Sequence, residues 1–252
     1  MTGYPGFGVL LAQLLDHRDL EAGAFAHRAG VPELELTGVL AGAAPSPLLL
    51  RQLGPALGLR DVDVFVFAEA EVPDDLTPLD AAARRWVPYV VRHALGLPPE
   101  KRGESSALAR SLPRHGCVQS QPFPQVYDPP VGPPGAFLVR MLRYRNLDWI
   151  GMARIFLYLT GRYWSAATYG AVGTGRKPLT ADLVADFGTV LGIPVRDLAA
   201  LTGTTLSEEP RDPAPSVAGI VELIWDVRPL TADQVRQVSE AAAAMRSGEG
   251  QR

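Results

Sequence analysis

The chain has 252 residues, 47% of them hydrophobic, a net charge of −3 and a mean hydropathy near zero. That describes a globular protein with material for a real core, and it excludes one that coats nucleic acid over its whole surface. The single cysteine, Cys117, excludes an internal disulfide framework, and no apolar run reaches the roughly 18 residues that span a bilayer. Because MTGYPGFGV lacks the basic region and cleavage site of a signal peptide, the expectation is a cytoplasmic protein with no membrane partner. In chain order, FGVLLAQLLDHR (7–18) has apolar residues at 7, 10, 11, 14 and 15, a helical stripe. Two short helices follow within AGAFAHRAGVPELELTGVLA (22–41), with Pro32 at the first helical position of the second, where its missing N–H does no harm. LLLRQLGPAL predicts a helix that ends at Gly58. DVDVFVFA, rich in Val and Phe, prefers strand by local propensity; its helical context and Asp61 as a good N-cap predict a fifth helix instead.

TPLDAAARRWVPYVVRHAL (77–95) and PPEKRGESSALARSL (98–112) predict two connecting helices. HGCVQSQPFPQVYDPPVGPPG holds six prolines in 21 residues, which no helix or central strand tolerates, so it reads as a linker. LSEEPRDPAP (206–215) reads as another. After it, VAGIVELIWDV has a wide apolar face, Ile220, Leu223 and Ile224 with Trp225 beside it, suited to burial within the chain or against a second copy. Thr231 and Gln234 form a capping box for the final helix, and SGEGQR is expected to be disordered.

The order of the first unit recurs. HRDL (17–20) matches YRNL (144–147), LAGAAPSP (40–47) loosely matches VGTGRKPLT (172–180), and LGLRDVDV (57–64) matches LGIPVRDL (191–198) at an offset of 134. About six extra residues lie between the first and second anchors of the later copy, the pattern of a duplicated domain. The expected layout is an all-α chain: a first domain at 1–72, connecting helices at 73–115, a Pro-rich linker at 116–135, a divergent second domain at 136–205 and C-terminal helices at 216–246.

Four positions in the first unit have the spacing of a helix-turn-helix. Ala26 is small where a helix crosses over it, Gly30 supplies a positive φ, and Leu36 and Val39 share one inward face of the next helix. With the leading helix, the GVP turn and the LGL segment, these residues resemble the Cro/Xre family of lambda-repressor-like domains. The resemblance implies five-helix domains that place the third helix in the major groove of double-stranded DNA, usually as dimers, and mostly regulate transcription. Tandem copies with linker helices are similar to larger regulators of GC-rich bacteria, a source that the Arg-for-Lys bias also fits: only Lys101 and Lys177 are lysines.

The charge distribution points to the second copy as the binder. In the first unit's third helix the outward residues are Pro32, Glu33, Glu35, Thr37 and Gly38, with no side chain to read a base edge and two carboxylates to repel phosphate. Residues 137–177 instead carry seven Arg or Lys against one acid, Asp148. The DNA-binding set expected there is Arg143, Arg145, Arg154, Arg162, Ser165, Thr168, Arg176 and Lys177, with Arg140 extending the positive face. Its turn departs from the pattern, since the positions matching Ala26 and Gly30 read as Leu159 and Tyr163. Tyr158, Tyr163, Trp164 and Tyr169 are expected as an aromatic core cluster rather than a stacking surface.

Other chemistry is not indicated. GAVGTGRKP (170–178) is near to a phosphate-binding loop, but Arg176 precedes the lysine and Pro178 replaces the hydroxyl that would hold magnesium. His17, His27, His93 and His115 are scattered without ligand spacing, so no metal or other cofactor is expected, and His115 beside Cys117 gives no nucleophile pair. No catalytic residues emerge and no enzyme is expected. The alternative to a DNA-binding regulator is a protein-interaction module, an adaptor or anti-regulator that keeps the fold without touching DNA; the expected partners are therefore duplex DNA, a second copy or a regulatory protein.

Overall fold

The computed structural model describes residues 5–114, 132–206 and 215–247. Among them the regular structure is entirely helical. The first five helices are α1 (Phe7–His17), α2 (Ala22–Ala29), α3 (Glu33–Leu40), α4 (Pro47–Leu57) and α5 (Asp61–Phe67). Short 3-10 turns at Asp74–Leu76 and Ala81–Arg85 lead to the connecting helices α6 (Val87–Leu95) and α7 (Pro99–Ser111). Five more follow: α8 (Pro134–Arg143), α9 (Trp149–Thr160), α10 (Ala166–Gly173), α11 (Ala181–Leu191) and α12 (Val195–Thr202). The chain closes with α13 (Pro215–Val227) and α14 (Ala232–Ser247). Most of the Pro-rich linker, including His115 and Cys117, lies outside the described residues, as do most of the 206–215 linker and the end of SGEGQR.

The boundaries follow local chemistry. Gly30 ends α2 at φ 67°, Gly58 ends α4 at φ 63°, and Ser46 caps α4 by accepting from the Leu49 N–H at 3.1 Å. Pro32 falls at the N-cap of α3, one residue before the helix proper. In α5 the strand preference of DVDVFVFA is overridden by burial, since every residue from Val62 to Phe67 is inside and a helix apolar on all sides must be covered on all sides. Its N-cap is Arg60, not Asp61; Asp61 sits in the first turn.

Helices α8–α12 share several end features with α1–α5. Gly161 and Gly192 end α9 and α11 at φ 72° and 70°, and Thr180 caps α11 as Ser46 caps α4. The two units then pack reciprocally, α1 on α12 and α5 on α8, the exchange that defines a self-complementary interface. One ion pair marks each side. Arg18 holds Asp197 by Nε at 3.0 Å and Nη2 at 2.5 Å, with Nη1 donating to the Leu57 carbonyl at 2.8 Å. Arg145 holds Asp63 through both Nη atoms at 2.7 Å, and Nη2 also donates to the Leu191 carbonyl at 3.0 Å. Each arginine thus binds the end of its own fourth helix and a carboxylate in the other unit's fifth. Arg145 and Asp63 are 2% and 0% exposed, whereas Arg18 is 22% exposed.

Helices α13 and α14 pack against α6 and α7, so the apolar face of α13 is buried within the chain. Trp225 beside it takes the guanidiniums of Arg228 at 4.0 Å, Arg60 at 4.3 Å and Arg145 at 5.8 Å from its ring centre. The Thr231 and Gln234 capping box forms, with the Thr231 N–H donating to Gln234 Oε1 at 2.9 Å and the Gln234 N–H to Thr231 Oγ1 at 3.4 Å. Asp80 ties the connector to this tail: its carboxylate accepts from the N–H groups of Ala82 and Ala232, each at 2.7 Å.

Candidate nucleic-acid interface

In the first unit the residues that make the turn also aim α3. Leu36 and Val39 are buried, and Ala26 is buried where α2 meets α3. The outward face carries Glu33, Glu35 and Leu34, the last 86% exposed. Both carboxylates lie in the first turn of α3, where they occupy the positive end of the helix dipole that would otherwise draw a phosphate. Glu35 also accepts from Ser46 Oγ at 3.2 Å.

In the second unit the turn glycine is present, which corrects the expectation that Leu159 and Tyr163 stand in for Ala26 and Gly30. Five residues (161–165) separate α9 from α10 where three (30–32) separate α2 from α3, so the turn falls two residues earlier than linear counting places it. Gly161 takes the left-handed conformation at φ 72°; Leu159 is buried in α9 and Tyr163 is 67% exposed in the lengthened turn. α10 has no acid in its first turn, and Ser165 at its N-cap makes no side-chain cap bond, leaving its Oγ 3.2 Å from Thr168 Oγ1.

The expected DNA-binding residues do not form one face. Arg145 is removed from the set: it is buried against Asp63 between the units. Arg143 is half-buried over Trp149 at 5.2 Å, and Arg154 points toward the connector, 5.9 Å from the Tyr89 ring. Arg162 pairs with Asp182 at 2.9 Å and lies 4.0 Å from Asp186, and these carboxylates raise its pKa further. Ser165, Thr168, Arg176 and Lys177 remain around α10. Arg176 is exposed, its Nε donating to Thr174 Oγ1 at 3.0 Å, and Lys177 lies 5.2 Å from the Trp164 ring.

The aromatic expectation divides. Tyr169 is fully buried, edge-on to Phe156 at 5.1 Å and Phe187 at 6.3 Å, and burial holds its hydroxyl far above the usual phenol range. Trp164 donates to Asp186 at 2.6 Å, Tyr158 is half-buried and Tyr163 is outside. Burial is the first cause raising the pKa of Asp186, ahead of the Trp164 bond that lowers it. An acid whose folded pKa is raised costs stability once it ionises, so the cost appears as pH rises above the ordinary value of 3.8 and is complete above the folded pKa. Asp186→Asn, which can keep the Trp164 bond, is therefore expected to gain on the parent as pH rises from about 4 to 7. Urea denaturation at several pH values measures this; a difference that is flat or of opposite sign refutes it.

Sequence reading missed a second cationic group. RRWVPYVVR in the connector brings Arg84, Arg85, Trp86, Tyr89 and Arg92 to the side that faces Arg154 of α9. The clue was the interleaving of arginines and aromatic rings, hidden because the segment read only as a connecting helix. None of the described helices is long and apolar enough to cross a membrane, and no cluster of three or more metal-binding side chains occurs among the described residues. No protein-family model, curated protein or solved structure matches the chain.

Proposed function

We propose that the chain is a DNA-binding transcriptional regulator with two helix-turn-helix domains of Cro/Xre type, whose second domain supplies the phosphate contacts. The observation that carries this reading is the contrast between α3 and α10. The first turn of α3 is acidic, whereas that of α10 has no acid and has exposed Ser165 and half-exposed Thr168, with the cations Arg176 and Lys177 in the loop after its C-terminal end. A helix N-terminus with hydroxyls and no carboxylate, and a cationic loop beyond the helix, both suit a phosphate backbone. The test is binding to random-sequence duplex at two salt concentrations. Affinity should fall steeply with salt, and Arg176→Ala with Lys177→Ala should lower the slope of log affinity against log salt by about two. No binding near 50 mM salt, or an unchanged slope in the double variant, rejects the reading.

The second reading, a protein-interaction module, is favoured by one surface. α3 presents Leu34, 86% exposed, between Glu33 and Glu35, with Leu48 at 68% on the next helix. An acidic rim around exposed leucines fits a basic, apolar protein surface better than DNA.

A further inference from the structure

We propose that the cleft between the connector and α9 is a binding site for a small molecule with a flat apolar body and one anionic group. This site is separate from the residues of α10 and does not depend on whether the chain binds DNA. The cleft, which is open to solvent, has a volume of about 440 Å³, within the usual range for a small-ligand site. One wall carries Trp86 and Tyr89, whose rings are 5.7 Å apart and inclined by 53°. The other carries Ile150, 61% exposed, an apolar side chain with no cover at the mouth of the cleft.

The charge of the cleft is as informative as its shape. Arg85 lies 5.4 Å from the Trp86 ring and Arg154 5.9 Å from the Tyr89 ring, one cation from each wall. Neither has a carboxylate within ion-pair distance among the described residues. Arg84, which also lines the cleft, donates through Nε to the Ala81 carbonyl at 2.6 Å. The one acid in the lining, Asp148, is engaged as the N-cap of α9, accepting from the Gly151 N–H at 2.6 Å. Guanidiniums held against ring faces keep their N–H edges for an anion. A flat ring fits between the aromatic wall and Ile150, and its carboxylate or sulfonate reaches Arg85 and Arg154. Duplex DNA does not satisfy this geometry, because its rings are stacked inside the helix and only phosphates face outward.

The test is calorimetric titration of the full chain with 1-naphthoate and with 1-naphthamide, which share size and shape and differ in charge. Naphthoate should bind at one site, at least about tenfold more tightly than the amide. Arg85→Ala and Arg154→Ala should each weaken naphthoate by about tenfold with little change for the amide, and Arg154→Lys should recover part of the loss. Both arginines are exposed, so neither variant threatens the fold. Absence of naphthoate binding, equal affinity for the two compounds, or affinity unchanged in the variants overturns the assignment. Displacement of naphthoate by a duplex through Arg154 also overturns it, making the cleft a phosphate-tracking surface.

Discussion

Arg145→Met should lower the stability of the fold by about 3–5 kcal/mol, because it strands Asp63 as an unpaired buried carboxylate. Arg145 satisfies both oxygens of Asp63 and donates besides to the Met141 and Leu191 carbonyls, so one substitution breaks contacts in both units. The related change Arg18→Met should cost less, on the order of 1–3 kcal/mol, since water reaches the Arg18 side and rehydrates Asp197 in part. Replacing both partners, Arg145→Met with Asp63→Leu, should recover most of the loss, as buried ion pairs exchanged for apolar groups often do. Denaturant midpoints for the three proteins decide the matter. A single Arg145→Met variant as stable as the parent would mean that the two units do not depend on each other through this pair.

The second large effect is expected at Gly8 and Gly135, which occupy equivalent places at the start of α1 and α8. A Cβ added at Gly8 would lie 2.1 Å from the Val39 carbonyl oxygen; at Gly135 it would lie 2.4 Å from Val172 Cγ1 and 2.5 Å from the Val172 carbonyl oxygen. Val39 and Val172 sit on α3 and α10, so alanine at either glycine must push the leading helix away from the third helix of its unit. Overpacking of this kind costs about 1–3 kcal/mol, and obstruction by backbone atoms places these sites at the upper end. Gly38→Ala is the control: it lies in α3 with nothing closer than 4.0 Å, and should be neutral or stabilising by up to about 1 kcal/mol. Equal stability of Gly8→Ala, Gly135→Ala and Gly38→Ala would refute the close approach. Gly135→Ala should also weaken any binding that uses α10.

Much of the helical framework was legible because its signals are local. Apolar stripes, Gly30, Gly58 and the Thr231 capping box each act within a turn or two of chain. Even α5, whose composition favours strand, could be read from its neighbours. Three features were not legible. The turn at Gly161 is not legible because two of the extra residues of the later copy lie after it, in the connection to α10, and counting between sequence anchors cannot say where an insertion falls. Arg145 reads in the sequence as a surface residue, because an arginine in a basic stretch gives no sign of its partner, which lies 82 residues earlier. The same limit applies to Arg154, whose neighbour Tyr89 belongs to the connector, so what looked like one positive face is divided among a buried pair, a cleft and the end of α10.

The reciprocal contact between the two units has a consequence for how this molecule can change. In an assembly of two identical chains every substitution is made twice, so neither half can abandon a role that the other keeps. Here both halves travel on one polypeptide, and the encounter between them is unaffected by dilution. Each half can therefore differ from the other, and the two do differ. One arginine–aspartate pair is dry while the other meets water, and one third helix carries carboxylates in its leading turn while the other has none.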